Sequence, residues 1–183
     1  FNNYNVEVQS TPSLSAIMTG RMPVRSGTYT VPWPGQGKAG MAPWEYTLPK
    51  LLSDSGYATA LYGKWHLGKA PDKIPAARGF ERDFSLLDGM GSYWDMTNMT
   101  ALNPTSVFTE DGKYLTELPT DYYATKTYTD KLIDFIDSNH SDGKPFFAYV
   151  SQQAPHDPYH LPEEWRSRHV GEYDIGWDAV RQS

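Results

Sequence analysis

The sequence predicts an α/β fold: a mixed, largely parallel sheet flanked by helices on both faces. Three observations lead there. Helix-like and strand-like segments alternate along the chain, one segment carries apolar residues at helical spacing, and two short strand-like runs end in turn formers. In open sheets of this kind ligands bind beyond the carboxyl ends of the strands, so the residues just after the two runs carry the functional weight.

Taken in order, residues 1–9 alternate loosely and read as a strand or an extended approach. Ser10-Thr11-Pro12-Ser13 has the composition of a helix start, with small hydroxyl residues to cap and Pro in the first turn. Gly20 stops that helix. Three Pro and three Gly within 32–43 make a loop. A short helix is expected over 48–55, closed by Gly56, and a strand over 57–62, closed by Gly63. Residues 69–119 are rich in turn formers and read as an excursion of loops and short elements. Tyr128, Leu132, Phe135 and Ile136 then fall at i, i+4, i+7 and i+8 of a helix, with Thr120 or Asp121 placed to cap it. A buried strand over 145–150 follows.

Composition narrows the function. With 39% hydrophobic and 14% aromatic residues, the 183-residue chain can bury a core and is not of the disordered class. No run approaches the roughly 20 apolar residues of a membrane span. A net charge of −6 argues against nucleic acid as partner. The absence of cysteine excludes disulfides, thiolate metal sites and a cysteine nucleophile.

Three segments carry candidate chemistry. After the first strand come Lys64 and His66, which period-two alternation would project to one side. An ammonium beside an imidazole suits an oxyanion; the alternative is a solvated Lys next to a His packed on Trp65. After the second strand, Pro155 and Pro158 bracket His156 in a stiffened loop, as a general acid or anion ligand, or as a solvated His in a proline-shaped turn. Ser10 stands at a helix start, where free N–H groups favour negative charge, or is an ordinary cap. Trp33, Trp44, Tyr93 and Trp94 lie in the loop regions and either stack on substrate rings or pack in the core.

Together these segments resemble the type I sulfatases of the alkaline phosphatase superfamily. Ser10-Thr11-Pro12-Ser13 with Thr19-Gly20-Arg21 matches the nucleophile motif. Gly-Tyr-x-Thr-x-x-x-Gly-Lys-Trp-His-Leu-Gly is matched without a gap from Gly56 to Gly68. Pro145-Phe146-Phe147 with Ala154-Pro155-His156 matches a third segment. Tyr128-Thr129-Asp130-Lys131 and Tyr173-Asp174…Gly176-Trp177-Asp178 are similar to arylsulfatase-type members.

The resemblance implies an alkaline-phosphatase-like sheet and a sulfuric ester hydrolase, with residues 1–183 forming part of a single catalytic domain truncated at both ends. It implies that Ser10 is oxidised by a maturation enzyme to formylglycine, whose hydrated gem-diol binds a divalent cation, usually calcium, and attacks sulfur. Lys64 would bind the sulfate and the aldehyde-derived oxygen. His66 would hold the gem-diol and assist sulfate elimination, and His156 would bind sulfate and protonate the leaving oxygen. Ser10 is then the one metal ligand in the chain, the remaining ligands lying outside it. The implied substrate is a sulfated small molecule or carbohydrate, and the implied location periplasmic or secreted, with the cytoplasm as alternative. Leu14 stands where the motif has Arg, which the maturation enzyme reads and which braces the formylglycine. That departure keeps two other readings open: an inactive scaffold binding anionic glycans, and a phosphonate monoester hydrolase.

Overall fold

The computed structural model describes residues 5–32, 40–100, 103–141 and 143–182. Its centre is a five-stranded sheet in the order β6-β5-β2-β1-β7. β1 (Ala58–Lys64) pairs in parallel with β2 (Arg82–Leu86) on one side and with β7 (Phe146–Ser151) on the other. β5 (Phe108–Glu110) and β6 (Lys113–Tyr114) extend the sheet antiparallel beyond β2, and β3 (Thr97–Thr100) with β4 (Asn103–Thr105) forms a separate hairpin. The fold class predicted from sequence is thus the one observed.

Both faces of β1 are covered, because alternate side chains enter different cores. Ala58, Ala60 and Tyr62 pack with Tyr128 and Phe135 of α4 (Ala124–His140). Leu61 and, just past the strand, Trp65 pack with Leu14 and Met18 of α1 (Ser10–Thr19). The short helices α2 (Pro23–Ser26) and α3 (Leu48–Asp54) lie on the α1 side, where α1 touches both. Near the end of the chain α5 (Glu163–Arg166) and α6 (Trp177–Gln182) bury no residue.

Several local expectations change. The part of 1–9 that is described, residues 5–9, is not a strand. Gln9 occupies the N-cap of α1 and makes no side-chain cap bond, so Ser10 lies inside the helix. α4 begins at Ala124 without a side-chain cap, so neither Thr120 nor Asp121 serves. β1 runs through Gly63 to Lys64 instead of closing at it. The excursion over 69–119 contains a core parallel strand, β2, which the hydrophobic pattern hides because Asp83 and Ser85 are buried polar residues. Asp83 is held there by Thr109 Oγ1 at 2.6 Å and the Gly112 N–H at 2.8 Å. β7 is half-exposed rather than buried, since it forms an edge of the described sheet. Among the described residues no helix is long and apolar enough to cross a membrane.

Candidate active site

The site assembles where β1 and β7 leave the sheet side by side. Gly63 stands opposite Ser151 in the parallel register, and its φ of +121° lies where side chains are rarely accommodated. A Cβ on Gly63 would run into the Ser151 carbonyl, whose carbon would lie 2.7 Å away. Glycine at this position lets the two strand exits close on each other. Lys64 follows directly, and the loop holding His156 follows Ser151.

Lys64 is only 7% exposed, and its ammonium makes no hydrogen bond or close ion pair among the described residues. Burial pushes its pKa down to about 8, while the field of Asp157 pulls the other way. A desolvated cation of this kind is costly by itself and gains most from an anionic ligand.

His66 is brought in differently from the period-two expectation. The strand ends at Lys64, and His66 takes φ +51°, the left-handed region that few non-glycine residues adopt. Its carbonyl accepts a hydrogen bond from Thr11 Oγ1 at 3.0 Å, and the next carbonyl, Leu67, accepts from the Met41 N–H at 2.8 Å. These anchors aim the imidazole at α1, where Nδ1 lies 2.8 Å from Ser10 Oγ across 56 residues of sequence. Burial, then the fields of Lys64, His156 and Lys69, push the His66 pKa down to about 3, so the ring is neutral near pH 7. A neutral Nδ1 accepts the hydroxyl proton of Ser10 in one tautomer and donates to Oγ in the other.

His156 sits in the loop after β7, half-exposed. The Ala154-Pro155 and Asp157-Pro158 peptides on either side of it are cis. Its N–H donates to Gln153 at 2.8 Å and its carbonyl accepts the Tyr93 hydroxyl at 2.6 Å. Asp157 engages Nδ1 at 2.8 Å, and Nε2 has no partner among the described residues. Ser10, Lys64, His66 and His156 therefore converge: one direct contact joins Ser10 to His66, and the fields of Lys64 and His156 both reach His66.

Two residues in the loops around these side chains escaped sequence reasoning. Gln153 is buried, accepts from the Tyr128 hydroxyl at 3.0 Å and donates to the Gly91 carbonyl at 3.2 Å. Asp88 pairs with Lys69 and accepts the Val107 N–H at 2.8 Å. Neither lies in a strand or shows a spacing that marks it, so no signal in the sequence singles them out. Of the candidate stacking aromatics, Tyr93 is buried, Trp94 is 43% exposed and stacked on Tyr123 at 4.4 Å, and Trp44 is 82% exposed. Trp33 lies outside the described residues.

A hydroxyl thus lies beside a neutral imidazole, with a buried lysine close to it in sequence at the carboxyl end of a parallel strand. The sulfatase family model matches residues 1–183. The chain belongs to the sulfatase family. The arylsulfatase of Klebsiella aerogenes is 30% identical over 189 residues, covering 98% of this chain and 40% of its own length. The crystal structure of Ps i-CgsB with k-i-k-neocarrahexaose superposes with a TM-score of 0.73 at 27% identity, covering 87% of this chain and 37% of that one. The structure of BT4656 in complex with its substrate D-glucosamine-2-N,6-O-disulfate has a TM-score of 0.62 at 32% identity, covering 94% of this chain and 29% of that one. The chain thus spans between 29% and 40% of these relatives.

Sulfatases are generally formylglycine-modified and calcium-dependent. Calcium takes six to eight oxygen ligands, usually several of them carboxylates. Among the described residues no group of three or more acidic or histidine side chains stands ready for a metal ion, and the bond partner found for the Ser10 hydroxyl is an imidazole. The described residues of this chain do not by themselves fit a calcium site.

Proposed function

We propose that the chain carries the sulfate-binding and nucleophile part of a sulfuric ester hydrolase, and that residues 1–183 are part of one catalytic domain. The observation that carries this reading is the 2.8 Å contact between Ser10 Oγ and His66 Nδ1, with the largely buried Lys64 acting electrostatically on His66. An unmodified serine hydroxyl is a weak nucleophile, and the family's conversion of this position to formylglycine by a maturation enzyme supplies a gem-diol in its place. Formylglycine at residue 10 would supply the nucleophilic hydroxyl; there His66 would be placed to take the proton that this hydroxyl loses and His156 to give one to the departing alcohol oxygen. Lys64 holds the non-bridging sulfate oxygens, where negative charge concentrates. The same contact would let His66 accept a proton from residue 10 when sulfate is released.

The similarity to an arylsulfatase and to a structure holding a sulfated glucosamine supports a sulfated aryl or carbohydrate ester as substrate. Export to the periplasm or the exterior is the location that goes with this family. One observation favours a second reading, a scaffold that binds anionic glycans without turnover: Leu14 is 8% exposed within an apolar cluster, so nothing at that position braces residue 10. Mass spectrometry of the Ser10 peptide, from full-length protein made in its native host, separates the two. A loss of two hydrogens at Ser10 is expected; unmodified serine in protein that turns over no sulfate ester would leave the scaffold.

A further inference from the structure

The loop after β2 closes on the ring of His66. A Cβ on Gly89 would lie 2.5 Å from Nε2 and 2.9 Å from Nδ1 of the His66 ring, with Cε1 closer still. Carbon atoms of real side chains do not come that near, so one of the two partners would have to move. We infer that Gly89 is a positioning residue: its missing side chain is what allows the His66 imidazole to lie where Nδ1 reaches Ser10. This inference rests on the proposed role of His66 at the nucleophile.

Which partner yields follows from how each is held. The loop has little freedom to retreat. Asp88, next to Gly89, is bound to Lys69 and to the Val107 N–H at 2.8 Å. Two residues on, the Gly91 carbonyl receives Gln153 at 3.2 Å, and a Cβ on Gly91 would lie 2.6 Å from Ser106 Oγ, so that stretch is closely packed as well. Tyr93 ties the end of the loop to the His156 carbonyl at 2.6 Å and accepts the Ala124 N–H at 2.8 Å. The backbone of His66 is equally fixed, by Thr11 and by the turn at φ +51°. The imidazole is the free end of a side chain with two soft torsions, and its link to Ser10 is a single hydrogen bond. A methyl group at 89 therefore rotates the ring off Ser10 more readily than it displaces the loop. Its effect falls on the alignment of the nucleophile more than on the fold.

The test is a double-mutant cycle in the full-length protein, with Gly89→Ala, His66→Ala and the pair together, read by turnover and by thermal unfolding. Gly89→Ala is expected to lower kcat at least tenfold with KM little changed, and to add no further loss in the His66→Ala background. Any drop in Tm caused by Gly89→Ala should shrink or vanish once the imidazole is gone, because the methyl group then has room. In NMR spectra the His66 ring resonances of Gly89→Ala should move as they do in Ser10→Ala. Equal losses of Tm in both backgrounds, or unshifted His66 resonances with full kcat, would overturn the inference. If His66→Ala by itself retains full turnover, the role assigned to His66 fails, whereas the Tm coupling and the ring resonances still report on Gly89.

Discussion

A largely buried lysine without a carboxylate in contact destabilises the fold, and Lys64 is in that position. Burial depresses its pKa, so the folded state holds the proton less well than the unfolded chain. Lys64→Met is therefore expected to raise stability by about 1–3 kcal/mol near pH 7, read from denaturant midpoints, while abolishing sulfate ester turnover. A lysine kept there for structure alone would show the opposite change in stability. Leu14 poses the complementary case. Restoring the motif residue by Leu14→Arg would push a guanidinium into the cluster of Met18, Leu61 and Trp65. We expect it to cost about 1–3 kcal/mol, which thermal unfolding of the full-length protein can measure. All four candidate residues were visible at suggestive positions and the resemblance implied their roles, yet the contacts among them were not legible. Ser10 has no base within its own motif, and its imidazole partner arrives from 56 residues away.

At the level of elements, the strand exits position the chemistry. β1 and β7 can bring Lys64 and the His156 loop together only while residue 63 has no side chain against Ser151. Gly63→Ala should accordingly destabilise by at least about 2 kcal/mol, combining an unfavourable φ with a backbone clash. Equilibrium unfolding checks the magnitude, and a wild-type midpoint would show that the strands can separate without loss. α4 was legible because its apolar side faces one core and its outer side faces water, so the period survives in the sequence. β2 was not legible, since Asp83 and Ser85 occupy buried positions that the pattern assigns to apolar residues. The bonds that make Asp83 tolerable there come from Thr109 and Gly112, outside any local window.

For the whole molecule, the pH dependence has a definite sign. The Lys64 proton is lost near pH 8 in the folded state but near 10.5 in the unfolded chain, so the unfolded state binds more protons between these values. Stability should rise with pH from about 8 toward 10 in the wild type, and this rise should be absent in Lys64→Met. Above pH 10 the buried phenols of Tyr62 and Tyr93, pushed up to about 12 by burial, act in the opposite direction. On the proposed role of Lys64, binding of inorganic sulfate should weaken as pH passes 8, a change that calorimetry resolves. Sequence alone determined the fold class, the family, and the residue types that meet an anion, because hydrophobic period and short motifs are local properties. Tertiary structure decided that His66 is oriented by a left-handed turn rather than by strand alternation, and that Gly63 and Gly89 leave room for Ser151 and for the His66 ring. Steric fit between segments distant in the chain leaves no mark on either segment's own pattern, so these features became readable only once the sheet had brought them together.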